Sequence, residues 1–254
     1  MANLKSRMAN GELLAGTFVK TAAIEMVEVL ARSGLDFLCL DAEHSAFDRA
    51  RLDACLAVAR ALDFPMLVRV PSGQPQDILQ ALDSGAVGVV VPHVTDAATA
   101  ETIARASRFG PGGRGYAGST RWAGFATRAM PDILAQSESE TIVIAQIEDI
   151  EGVENANAIA ATDGIDGIFL GPADLTVAYG HQSQPNADLM AATKSVGDAV
   201  QAQGKAYMTF TANVAQAAEL QRYGFTMFFV ASEHAWMLHG AKTTAEGIHA
   251  LGED

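Results

Sequence analysis

Gly164-Ile165-Asp166-Gly167-Ile168-Phe169-Leu170-Gly171-Pro172-Ala173-Asp174-Leu175 reads as a short apolar strand, Ile168 to Leu170, that stops at a Gly-Pro pair and delivers a carboxylate beyond its carboxyl end. Proline cannot donate to a sheet ladder, so the strand ends here. Asp174 then falls in a loop or a first helical turn facing the strand ends, the side on which open and closed α/β folds keep their chemistry. Taken alone, Asp174 reads as a cap on the next segment. What else gathers at the same strand ends decides between the two.

Outward from this stretch, short β-rich runs alternate with longer segments of helical period. The other strand candidates are Leu14 to Val19, Phe37 to Ala42, Met66 to Val70, Val87 to Val91, Ile142 to Ile147, Ala206 to Phe210 and Met227 to Ala231. Helical patterns cover Ala22 to Ser33, Asp48 to Leu62, Pro75 to Asp83, Asp96 to Arg108, Ile150 to Ala161, Asp188 to Gln203 and Asn213 to Tyr223. Val87-Gly88-Val89-Val90-Val91 is apolar on both faces, as a parallel strand covered by helices must be. Eight βα units in a chain of 254 residues predict a TIM (β/α)8 barrel occupying 1–254 as one domain. An open doubly wound sheet is the rival, but no Gly-x-Gly-x-x-Gly follows an early strand.

The formal net charge of -13 repels a phosphate backbone, and no Lys/Arg cluster accompanies aromatic residues, so nucleic acid is excluded as a partner. Met1 to Arg7 lacks the apolar core of a signal peptide and no run reaches the length of a membrane span, which places the protein in the cytoplasm. Cys39 and Cys55 read as buried free thiols. The longest irregular part, Phe109 to Arg128, mixes glycines with Arg114, Tyr116, Arg121 and Trp122 and suits a lid or a subunit contact. The segment His234 to Leu251 reads as a helix that closes the barrel or packs on a neighbouring subunit.

Polar residues collect where the strands end: Asp41-Ala42-Glu43-His44 at the second, Arg69 in the third, Pro92-His93 after the fourth, Gln146-Ile147-Glu148-Asp149 at the fifth and Asp174 after the sixth. Glu148 and Asp174 are hard oxygen ligands on neighbouring strands, which suits Mg²⁺ or Mn²⁺ better than a closed zinc site; the bland alternative is two solvated loop acids. An unpaired guanidinium within Leu67 to Val70 is expensive to bury, so Arg69 pairs with Asp41 or Asp83 or faces a ligand anion. His44 is the natural base, with Asp41 placed to hold its tautomer. His93 has no acid beside it until Asp96 and reads as peripheral.

Asp41-Ala42-Glu43-His44, Val68-Arg69-Val70-Pro71, Gly88-Val89-Val90-Val91-Pro92, Arg114-Gly115, Gln146-Ile147-Glu148 and Gly167 to Leu175 together resemble the HpcH/HpaI aldolases, metal-dependent (class II) 2-oxo acid aldolases, over nearly the whole chain. The resemblance implies a (β/α)8 barrel of the phosphoenolpyruvate/pyruvate-binding type, assembled as a hexamer whose dimers exchange the last helix. It implies that Glu148 and Asp174 hold a divalent cation (Mg²⁺, Mn²⁺ or Co²⁺) with Gln146 beside it, and that pyruvate or hydroxypyruvate meets the amides near Ala173 and Asp174. Arg69 would then neutralise the enolate oxygen, and His44, supported by Asp41 and Asp83, would be the acid/base toward an aldehyde partner.

The chemistry agrees. Proton loss from C3 of a 2-oxo acid places charge on the 2-oxygen, where a Lewis acid and Arg69 stabilise it. A Schiff-base mechanism is disfavoured because Lys20 follows the first strand and Lys205 precedes the seventh. Oxaloacetate decarboxylation or citrate-lyase-like acyl-CoA cleavage would use the same enolate, although no basic patch for CoA phosphates is evident. Lys20, His93, Phe210 and the loop Tyr116 to Phe125 do not match the family pattern. Phe18 and Phe210 are expected to form an apolar wall favouring small or weakly polar aldehydes.

Overall fold

The computed structural model describes residues 3–251. Eight parallel strands close into a barrel in chain order: β1 (Leu14–Val19), β2 (Phe37–Asp41), β3 (Met66–Arg69), β4 (Gly88–Val91), β5 (Ile142–Ile147), β6 (Gly167–Leu170), β7 (Ala206–Thr211) and β8 (Met227–Ser232). The expected barrel is present, with strand ends shifted by a residue or so. The helices are α1 (Leu4–Ala9), α2 (Ile24–Leu30), α3 (Arg49–Ala61), α4 (Pro75–Ser84), α5 (Ala97–Ser107), α6 (Met130–Glu140), α7 (Ile150–Glu154), α8 (Ala156–Ala161), α9 (Pro172–Ala178), α10 (Ala187–Ala202), α11 (Val214–Leu220) and α12 (Glu233–Ala250).

Side chains alternate across each strand, so residues two apart share a face. One face packs under the helices, as Leu38, Leu40, Val68, Val89, Val91, Val143, Ile147 and Ile168 do. The other fills the barrel: Leu14, Phe18, Phe37, Cys39, Leu67, Val90, Ile142, Ile144, Phe169, Met208, Met227 and Phe229 form one interior cluster. Extending that inward parity past the apolar layers leads to Lys20, Asp41, Glu43, Arg69, Gln146, Glu148 and Gly171. The interior is therefore a packed floor with a polar mouth.

α1 was not expected from the sequence. Its Leu4 and Met8 join the interior cluster, while Lys5 pairs with Asp166 at 3.0 Å and Arg7 with Asp36 at 2.8 Å, next to the amino ends of β6 and β2. It plugs the end of the barrel opposite the mouth. The helical pattern from Ile150 to Ala161 is broken at Asn155, whose side chain donates to the Thr95 carbonyl at 2.9 Å.

The glycine-rich loop, which suits a lid or a subunit contact by sequence, is anchored at Arg114 and Trp122. Arg114 is buried, donates through Nε to Asp83 at 3.1 Å, and lies over the rings of Phe109 and Trp122 at 4.6 and 5.1 Å. Trp122, Ala123 and Ile133 form a separate small core there.

α12 does not close the barrel. Only Glu233 is buried in it, while Trp236, Met237, Leu238 and Ile248 are exposed. Among the described residues no helix is long and apolar enough to cross a membrane.

Candidate active site at the carboxyl ends of the strands

Asp41, the last residue of β2, is fully buried and accepts from Arg69 Nε at 2.9 Å and Nη2 at 2.7 Å. Of the two acids expected for Arg69, the structure selects Asp41. Burial alone pushes the Asp41 carboxyl up, but the hydrogen bonds and charge of Arg69 outweigh it and hold it below the ordinary carboxylate value. The Arg69 guanidinium also lies 4.3 Å from the Phe18 ring centroid.

Phe18 is therefore floor rather than wall: it is 4% exposed, beneath Arg69 and against Phe169 and Phe229. Phe210, on β7, is half-buried and packs against the interior cluster.

His44 is reached by Asp41 through the main chain. Its N–H donates to Asp41 Oδ1 at 3.1 Å, and its half-exposed ring lies nearest Glu43, with Nε2 3.6 Å from Oε2. The expected hold of Asp41 on the tautomer is thus absent: Asp41 reaches the main chain of His44 and the guanidinium of Arg69, not the imidazole. Asp83 also lies elsewhere in this chain. It sits near the carboxyl end of α4, which runs away from the mouth, and pairs with Arg114.

The sequence alone assigns Glu43 no role. Its Oε2 is enclosed, 3.3 Å from Arg69 Nε, without a hydrogen-bond partner. Burial pushes its carboxyl up against the opposing charge of Arg69. The period-two step from Asp41 is the signal that placed it inward.

Glu148 extends the inward column Ile144, Gln146 beyond β5 and is almost wholly buried. Oε2 accepts from Gln146 Nε2, and Oε1 accepts from the main-chain N–H of His93 at 3.0 Å. Burial pushes this carboxyl above the ordinary glutamate value, and the negative charge of Asp174 adds to the rise. Asp174 is exposed in the first turn of α9, near enough for its charge to act on Glu148. Gly171 permits this approach: a Cβ there would lie 2.8 Å from Glu148 Cβ and 3.0 Å from Oε2. Gly171 also offers no side chain to cap α9, leaving the early N–H groups at Ala173 and Asp174 free to meet an anion.

His93 is less peripheral than its sequence neighbours imply. Its backbone is left-handed (φ 54°), and its Nδ1 lies 2.9 Å from Asp149 Oδ2 and 3.5 Å from Glu148 Oε1. The hydrogen bond to Asp149 raises its pKa, opposed in part by burial. Ligand atoms of Glu43, His93 and Glu148 lie within 4.8 Å of one another.

The residues present fit a hard divalent cation. Among the described residues Glu148 is a buried carboxylate whose one ion-pair neighbour is His93, Asp174 adds a second negative charge, and the enclosed Gln146 Oε1 and Glu43 Oε2 have no hydrogen-bond partners. Oxygen donors predominate, as Mg²⁺ and Mn²⁺ prefer.

The family model described as HpcH/HpaI aldolase/citrate lyase matches residues 14–240. A hydroxypyruvate/pyruvate aldolase of Paraburkholderia phytofirmans is 31% identical over 97% of this chain and 97% of its own length. A 5-keto-4-deoxy-D-glucarate aldolase of Enterobacter sp. is 33% identical over 90% of each chain. A crystal structure of an HpcH/HpaI aldolase/citrate lyase family protein from Burkholderia cenocepacia superposes with a TM-score of 0.91 at 31% identity, covering 97% of this chain and 98% of that one.

Proposed function

The chain belongs to the HpcH/HpaI aldolase/citrate lyase family and is an enzyme of the aldolase type, and from that premise we propose that it forms and cleaves the C3–C4 bond of 4-hydroxy-2-oxo acids in a divalent-metal-dependent reaction. Pyruvate or hydroxypyruvate is the donor and an aldehyde the acceptor. One observation carries the reading: Glu148, Gln146 and the Gly171–Asp174 turn converge on one side of the mouth that also holds Arg69.

Glu148 and Asp174 would hold the cation, with Gln146 beside them. When bound, the cation supplies Lewis-acid stabilisation of charge on the 2-oxo oxygen. Among the described residues Arg69 Nη1 makes no hydrogen bond while Asp41 fixes its other two nitrogens, so the guanidinium presents an oriented nitrogen with two N–H groups toward the enolate oxygen. The main-chain N–H groups of Ala173 and Asp174 would orient the substrate carboxylate. In cleavage, His44 takes the proton of the 4-hydroxyl as the C3–C4 bond breaks; in synthesis it returns it. Asp41 supports this indirectly, by fixing Arg69 and the main chain at His44. Phe210 borders the acceptor side. The exposed apolar residues of α12 support packing on a partner subunit within a homo-oligomer, a hexamer by family pattern.

The test is retro-aldol cleavage of a 4-hydroxy-2-oxo acid. EDTA should abolish it, Mg²⁺, Mn²⁺ or Co²⁺ should restore it, and borohydride with substrate should trap no adduct. His44→Ala should lower turnover by orders of magnitude while metal binding survives. Activity that persists in chelator would sink the reading.

A further inference from the structure

We propose that Lys20 selects the acceptor: its ammonium binds a negatively charged group on the aldehyde half of the substrate. This rests on the aldolase reading above. Lys20 is the inward residue two beyond Phe18, at the carboxyl end of β1, and its Nζ lies 3.4 Å from Asp41 Oδ2. Asp41 does not need it. The two carboxylate oxygens already accept two hydrogen bonds from Arg69 and one from the main chain at His44.

Among the described residues the ammonium makes no hydrogen bond, and its side chain is 34% exposed toward the mouth. The ammonium, in ion-pair range of Asp41 but not hydrogen-bonded to it, therefore keeps donors for a ligand. The main chain beneath them is rigidly held: the buried carboxylate of Glu233 accepts from the N–H groups of Lys20 at 2.8 Å and Thr21 at 2.6 Å.

Position assigns the ligand end. The residues proposed to grip the 2-oxo acid lie on β3, β5 and β6, whereas Lys20 stands on β1, separated from the half-buried Phe210 of β7 by β8 alone. A substrate anchored at Glu148 and Arg69 would find this side of the mouth open to its C4 substituent. In a protein of net charge -13, an anionic substituent needs a local cation to enter, and Lys20 supplies it. The aldehyde is thus a carboxylate- or phosphate-bearing one. The apolar wall expected from Phe18 is unavailable to favour a neutral aldehyde, since Phe18 is buried under Arg69.

The test compares kcat/KM for three acceptors with pyruvate as donor: succinate semialdehyde (carboxylate), glyceraldehyde 3-phosphate (phosphate) and glycolaldehyde (neutral). Lys20→Met should lower the value for at least one anionic acceptor on the order of tenfold or more, the size set by one charge-assisted hydrogen bond. Glycolaldehyde should change by less than about twofold, and Lys20→Arg should retain most of the anionic preference. The acceptor with the larger loss identifies which anion is read. Equal loss on all three would mean that Lys20 serves the Asp41–Arg69 pair, and no loss on either anion would mean that it serves neither; both outcomes overturn the inference. Wild-type turnover of glycolaldehyde, lost in EDTA, reports separately on the aldolase reading. If the wild type converts no aldehyde, that reading falls and this inference with it.

Discussion

Replacing Asp41 by its amide, Asp41→Asn, keeps volume and removes one charge from a pair that has no access to bulk water on the Asp41 side. The guanidinium of Arg69, 7% exposed, is left as a nearly buried cation facing an amide that cannot satisfy both Nε and Nη2. Stranding one partner of a buried pair costs about 3–5 kcal/mol. At about 2–4 °C per kcal/mol for a domain of this size, the melting temperature should fall by roughly 6–20 °C. Circular dichroism melts in chelator isolate this from any effect of bound metal. The double variant Asp41→Asn/Arg69→Met should recover part of the loss, because the stranded guanidinium is gone while Glu43 loses its counter-charge 3.3 Å away.

The pH dependence has a definite sign. The Asp41 carboxyl is held below its ordinary value, so its contribution is fully present above the unfolded aspartate pKa, about 3.9. It is lost as pH falls through the lower folded value, and the gap between wild type and Asp41→Asn should close on the acid side. A fall of less than about 2 °C, or a double variant no more stable than the single, would refute the claim that this pair organises the mouth.

Gly171→Ala has an ordinary backbone to adopt (φ -86°), so its penalty is steric: the new methyl meets Glu148 at 2.8 Å and displaces it. Mn²⁺ affinity followed by electron paramagnetic resonance should weaken by about tenfold or more while overpacking costs about 1–3 kcal/mol of stability. In Glu148→Gln, added Mn²⁺ should no longer raise the melting temperature, whereas the wild type should gain about 2.7 kcal/mol at a hundredfold excess over Kd. Trp236→Asp with Leu238→Asp on α12 should shift the protein to smaller species in analytical ultracentrifugation, and an unchanged sedimentation coefficient would show that this face is not an interface.

The barrel was legible because its cause is local. A strand buried on both faces must be apolar throughout and must end where proline and glycine stop the ladder, so Val87 to Val91 and Ile168 to Pro172 declare themselves without their neighbours. The polar mouth was legible for the same reason, since a polar residue closing an apolar run marks a strand end. Asp41, Arg69, Gln146, Glu148 and Asp174 all entered that way. Less visible were residues that short-range spacing alone misjudges. His93 was set aside for want of an adjacent acid, yet Asp149, on the next strand's loop, supplies one. Lys20 and Glu43 become meaningful only when counted two by two from Phe18 and Asp41.

By itself, then, the sequence determined the number and direction of the strands, which side carries the chemistry, and which side chains share a face, because alternation along a strand is a covalent property of the chain. Partner choice belongs to the tertiary structure alone. Arg69 takes Asp41 rather than Asp83, and Asp83 takes Arg114, because one carboxylate closes the adjacent strand and the other rides near the far end of α4. Long side chains find their counter-charges through space, at distances that barrel closure sets and sequence separation does not encode.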